Sequence, residues 1–150
     1  PDGRRSNIED VWLYLHLMFE LIWRYRFFYR DLNDLLSRNR KLELHFKLIL
    51  AHKIKVATQL CEDLRSEQSL EASDMEIGAM ATNMVVVATY WLSYEYVRNP
   101  RKYSEQQSMS DALARGCYQV LSLIGPYLRN ETHLLFRKLS EEYVTKLNSD

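Results

Sequence analysis

What most limits the fold of this chain is its lack of places to turn. No glycine or proline falls between residues 8 and 38, and the 150 residues hold only four glycines and three prolines. A fold of many strands needs turn residues about every 8–12 positions, so this chain must be built mainly from helices. Ile8, Val11, Trp12, Leu15, Phe19 and Ile22 recur at helical spacing and give the first stretch one apolar face. Continued to residue 38, that helix would reach about 46 Å, too long for a compact domain of this size. Over residues 23–29 the aromatics Trp23, Tyr25, Phe27, Phe28 and Tyr29 point to all sides, and the stripe loses its phase. The pattern predicts a break there, with helices near residues 7–22 and 24–37. Ser6-Asn7-Ile8-Glu9 has capping-box form, with Ser6 as the expected N-cap.

Further helices are expected at about residues 40–66, 74–98, 106–128 and from Asn130 to near Leu147. Acidic residues 67–74 connect the first two of these, and Ser73-x-x-Glu76 is a second capping box. Residues 80–92 are apolar nearly all round, which marks a central, buried helix. Asn99-Pro100 ends it, and residues 101–107 form a polar loop. The expectation is one all-α domain of about six helices over residues 1–150, with no internal repeat. An apolar content of 47% lets a chain of this length bury a sizeable core.

Charge excludes one class of activity. Net charge is zero overall, but it runs +4 over residues 1–60, −5 over 61–76 and +1 over 77–150. Without a concentrated basic stripe, this piece is not expected to hold DNA through phosphate contacts. Cys61 and Cys117 lie on apolar helical faces and read as free buried thiols, which fits a reducing cytoplasm. No window reaches the length and apolarity of a membrane span, and no signal peptide is visible. The opening Pro-Asp-Gly-Arg-Arg, without an initiator Met, reads as an exposed linker from a longer protein.

Catalytic and metal chemistry find no foothold. His16, His45, His52 and His133 form no His-Glu-x-x-His or Glu-x-x-His pair, so neither a zinc hydrolase nor a di-iron bundle is indicated, and no metal or cofactor is expected. Gly-x-Ser-x-Gly and glycine-rich phosphate loops are also missing. Asp31/Asp34 and Glu141/Glu142 sit on polar helix faces and read as solvated, so an enzyme is not expected.

Three stretches carry a resemblance. Phe27-Phe28-Tyr29-Arg30-Asp31-Leu32-Asn33-Asp34-Leu35-Leu36, Leu21-Ile22-Trp23-Arg24-Tyr25-Arg26 before it and Trp91-Leu92-Ser93-Tyr94 after it resemble the C-terminal domain of one subgroup of TetR-family transcriptional repressors. The likeness spans roughly residues 8–147 and rests on aromatic density. It implies an all-α effector-binding domain of a bacterial repressor, whose first helices and central helix surround a ligand cavity. It also implies a homodimer, in which the last two helices of each subunit form a four-helix bundle. The family's N-terminal helix-turn-helix head has no counterpart here, so DNA would be reached only through a head preceding Pro1.

Two sets of residues are singled out within that frame. A cavity for a small, mostly apolar ligand is expected between Trp23, Phe27, Ile49, Asn83, Val87, Trp91 and Tyr118. Asn83 is central to it, since an amide buried in an apolar helix is costly without a partner. Trp12, Phe19, Phe28 and Phe46 read as ordinary core. The dimer interface is expected at Met109, Leu113, Gly116, Val120 and Ile124, together with Leu135, Leu139 and Tyr143. The helix over residues 106–128 carries a second apolar stripe (Ala112, Cys117, Leu121, Leu128), and two stripes ask for two partners. Competing readings are a helical enzyme with a cofactor in the same cavity and a solid-cored assembly module.

Overall fold

A computed structural model describes residues 6–101 and 106–148, with side chains placed for all of these except 106–109 and 146–148. The described residues form seven α-helices and one 3₁₀ turn: α1 (Ile8–Arg24), α2 (Arg26–Arg30), α3 (Leu32–Arg38), α4 (Arg40–Ser66), α5 (Asp74–Arg98), α6 (Gln106–Ile124), the turn Gly125–Tyr127, and α7 (Asn130–Asn148).

The N-cap of α1 is Asn7, one residue later than the sequence suggested. Its side chain accepts from the Asp10 amide at 3.0 Å, and the Asp10 carboxylate accepts from the Asn7 amide at 2.9 Å. Ser6 is drawn off instead, its amide donating to Asp63 Oδ2 on α4 at 3.1 Å. The expected break in the aromatic stretch falls at Tyr25, with a second at Asp31 that separates α2 from α3. Both are bends more than stops, because the Tyr25 and Asp31 amides still reach back four residues to the Leu21 and Phe27 carbonyls. Asn39 caps α4 and the Ser73/Glu76 box opens α5. The predicted helix over 106–128 ends early, at Ile124, because Pro126 follows and the chain tightens into the 3₁₀ turn. Asn130 begins α7 with a φ of 56°, a left-handed conformation that asparagine tolerates well.

α5 and α6 stand at the centre. α4 packs on α5, α1 on α6, α2 on α5, α3 on α4 and α7 on α6, while α1 and α4 lean on the central pair without packing closely on each other. Leu92 of α5, Val120, Leu121 and Ile124 of α6, and Phe19 and Ile22 of α1 meet in the core. At Gly116 the helices come so close that a Cβ would lie 2.8 Å from Phe19 Cε1 and 2.8 Å from Trp91 Cδ1. Arg115 of α6 grips Glu95 of α5 through two parallel bonds of 2.8 and 3.0 Å. A short clasp joins the connectors at the other end of the bundle. The Arg129 amide donates to the Ser69 carbonyl and the Glu71 amide to the Tyr127 carbonyl, each at 2.9 Å, around an antiparallel bridge between Leu70 and Leu128.

This arrangement corrects the α6 part of the expected dimer surface. Leu113, Gly116, Val120 and Ile124 are buried by α1 and α5 of the same chain, so both stripes of α6 are core. The two partners that the stripes asked for are both supplied within one subunit. Leu135 and Leu139 are half-buried on α7, and Tyr143 packs against α1. The Met109 side chain lies outside the described residues.

Candidate ligand-binding site

The seven residues expected to line one cavity do not come together. Trp23 faces a cleft between α1, α6 and α7, Ile49 a groove between α1 and α4, and Val87 and Trp91 a depression between α5 and α6. Phe27 is exposed, with the guanidinium groups of Arg26 and Arg30 over its ring at 4.7 and 5.2 Å. Tyr118 is half-buried on α6. Asn83 is exposed, which removes the premise of a buried amide. The outer face of α5 is made of Thr82, Asn83, Val86 and Tyr90, and its apolar members had hidden which side faced solvent.

The cleft holds about 580 Å³ and is walled by Trp12, His16, Glu20, Trp23, Leu113 and Tyr143. Two of its polar side chains engage each other. Tyr143 Oη lies 2.9 Å from His16 Nε2, and the Trp12 ring meets Tyr143 edge-on at 4.7 Å. Burial holds the His16 pKa below its ordinary value, against a smaller opposing pull from Glu20, and burial pushes the Tyr143 phenol up.

The groove is different in kind. It holds about 510 Å³ between Tyr14, Leu17, Met18 and Leu21 of α1 and Leu48, Ile49, His52 and Lys53 of α4. Beneath it lies a separate apolar space of only about 20 Å³, bordered on the inner side by Met84, Val85 and Val120. Tyr14, Met18 and Lys53 border both spaces. Lys53 is the feature that the sequence reading passed over. It stands in the apolar stripe of α4 with Phe46, Leu50, Ala57, Leu60 and Leu64, and a cation in that position was the legible signal. Its Nζ donates to Tyr29 Oη at 3.2 Å and sits 5.4 Å from the centre of that ring. Burial lowers the Lys53 pKa and raises that of Tyr29.

Cys61 and Cys117 are buried and free, with pKa values pushed up by burial to about 11 and about 12. Among the described residues no three metal-ligating side chains converge, and no helix is long and apolar enough to cross a membrane.

Comparison with known proteins supplies the family to which this all-helical body belongs. The chain is similar to the crystal structure of a TetR-family transcriptional regulator from Marinobacter aquaeolei VT8, with a TM-score of 0.79 and 27% identity. The match covers 95% of this chain and 66% of that one, so the chain spans just under two thirds of the solved regulator. The sequence model of the TetR family, described as a bacterial transcriptional repressor, matches residues 1–136. The chain belongs to the TetR family of transcriptional regulators. No curated protein matches it.

Proposed function

We propose that this chain is the effector-binding and dimerising part of a bacterial transcriptional repressor, and that the α1–α4 groove takes up a small, mostly apolar ligand. The observation that carries this reading is the apolar groove between α1 and α4, two helices that pack less closely on each other than on the central pair. Its volume of about 510 Å³ lies inside the usual range for small-molecule sites, roughly 300–1,000 Å³. A ligand seated there lies between two helices that pack more closely on the central pair than on each other, and so favours one spacing of them over another. DNA contact falls to a helix-turn-helix head of the family's kind, since the charge distribution here offers no concentrated basic face. No catalytic role is assigned.

The neutral dye N-phenyl-1-naphthylamine tests the groove. It should brighten on binding the wild-type chain, and Met18→Trp, which fills the groove, should abolish most of that signal while leaving the helical circular dichroism intact. Full brightening in the Met18→Trp variant would remove the groove from the reading.

The partner is a second copy of the chain, met through the outer face of α5. Val86, Tyr90, Tyr94 and Val97 form an exposed row at helical spacing beside a depression of about 390 Å³ shared with α6. A two-fold contact covers such a row with itself. Val86→Arg should therefore halve the mass seen by light scattering, because two guanidinium groups would face each other across the axis. Its melting temperature at high dilution should stay close to that of the wild-type monomer, since Val86 is 51% exposed in the single chain. A variant that remains dimeric would move the interface off α5.

A further inference from the structure

The groove that the preceding reading assigns to a ligand is not uniformly apolar, and its one charge is unusual. Lys53 is half-buried, and its ammonium meets a phenol hydroxyl and an aromatic face. Among the described residues no carboxylate lies within ion-pairing distance of it. A cation withdrawn from water without a counter-charge is costly and attracts an anion if one can reach it.

The geometry gives that anion a shape. The Ser6 amide binds the Asp63 carboxylate at 3.1 Å, so the start of α1 lies beside the end of α4 and the two helices run antiparallel. Tyr14 is therefore level with Lys53, and Leu21 with Leu48. The groove has a polar end at Tyr14, His52 and Lys53, and an apolar end at Leu21 and Leu48, with Leu17, Met18 and Ile49 between. Seven residues of α1 separate Tyr14 from Leu21, which is about 10 Å of helix. Charge along α4 is mostly positive before Glu62, whereas α1 carries Glu9, Asp10 and Glu20 against Arg24. Lys41, Lys47, Lys53 and Lys55 lie along α4, and its only acid before Glu62, Glu43, is engaged by Arg40 and Lys47 at 2.9 and 3.2 Å.

We propose that the α1–α4 groove binds an aliphatic carboxylate, its chain lying along Leu17, Met18, Leu21, Leu48 and Ile49 and its head group paired with the Lys53 ammonium. The Tyr29 hydroxyl accepts from Lys53 at 3.2 Å and so fixes where the ammonium stands. A cationic amphiphile would meet Lys53 as a like charge. A neutral alcohol can accept one hydrogen bond from the ammonium but leaves its charge uncompensated.

The proposal rests on the groove being the ligand site, and the test separates the two. Calorimetric titration of the purified chain would use dodecanoate, 1-dodecanol and dodecyltrimethylammonium below their aggregation concentrations, with wild type, Lys53→Met and Lys53→Arg. Dodecanoate should bind wild type at least about tenfold more tightly than dodecanol, as expected for a charge-assisted head-group bond. Lys53→Met should lose that preference while keeping its affinity for dodecanol, and Lys53→Arg should retain the preference. Equal binding of acid and alcohol by wild type, a preference that survives Lys53→Met, or tighter binding of the cationic amphiphile would overturn the carboxylate assignment and leave the groove standing. If none of the three binds and the neutral dye is also refused, the groove reading fails and the assignment falls with it.

Discussion

Gly116→Val should cost about 3 kcal/mol or more of folding stability, and Phe19→Ala about 3–5 kcal/mol, yet the two together should cost clearly less than their sum. A side chain at residue 116 has nowhere to go. Its Cβ would fall 2.8 Å from Phe19 Cε1, 2.9 Å from Phe19 Cζ and 2.8 Å from Trp91 Cδ1. Neither ring can swing aside cheaply. Phe19 is fully buried, and the Trp91 indole is pinned by its Nε1–H donating to the Ala112 carbonyl at 2.8 Å. Helix propensity works in the opposite direction, since glycine is about 1 kcal/mol worse than alanine in a helix interior, but that gain is too small to offset the overlap. Removing the Phe19 ring opens the space that the valine methyls need, which is why the pair should be non-additive. Urea titrations of the two single variants and the double variant measure the coupling directly. Additive costs would mean that α6 simply shifts away, and the close approach would then not hold α1, α5 and α6 in register.

The Glu95–Arg115 pair should show an asymmetry of a second kind. Glu95 has a side chain only 10% exposed, whereas that of Arg115 is 31% exposed. Arg115→Met leaves a carboxylate buried without a partner and should cost about 3 kcal/mol. Glu95→Leu leaves a guanidinium that can turn to water and should cost distinctly less. Combining the two substitutions should recover most of the loss, because well-packed apolar residues replace a buried ion pair at little net cost. Thermal melts of the three variants at one pH would decide it. Equal losses in both single variants would mean that Arg115 is held as firmly in the interior as Glu95.

Much of this architecture was legible in the residues, because helix ends are written locally. The limits of α4 and α5, the Ser73/Glu76 box and the bend within the aromatic run all follow from cap chemistry and stripe phase. The Ser6-to-Asn7 shift shows where local rules give out. Both residues can cap, and Asp63, distant in sequence, takes the Ser6 amide. Burial around α6 was not legible, because a stripe records that a side is apolar and not which molecule covers it. Gly116, assigned to the interface, does mark a close approach, but the approaching groups are Phe19 and Trp91 of the same chain. Asn83 misled for a related reason: Val86 and Tyr90 beside it are apolar and exposed, so the amide looked surrounded when it was merely accompanied. Lys53 is the converse case. A single cation in an apolar row marked the groove more reliably than the aromatic belt did.

The clasp between the two connectors has a mechanical consequence. It ties the end of α4 to the start of α7, and the Ser6–Asp63 bond ties the start of α1 to the same region, so three helix ends are held together there. α4 has 27 residues and extends about 40 Å from this point. A rotation of about 5° at the clasp moves its far end by roughly 3.5 Å over that length. Any movement of α4 that a groove ligand favoured would therefore be smallest at the clasp and largest at the end beyond Leu48.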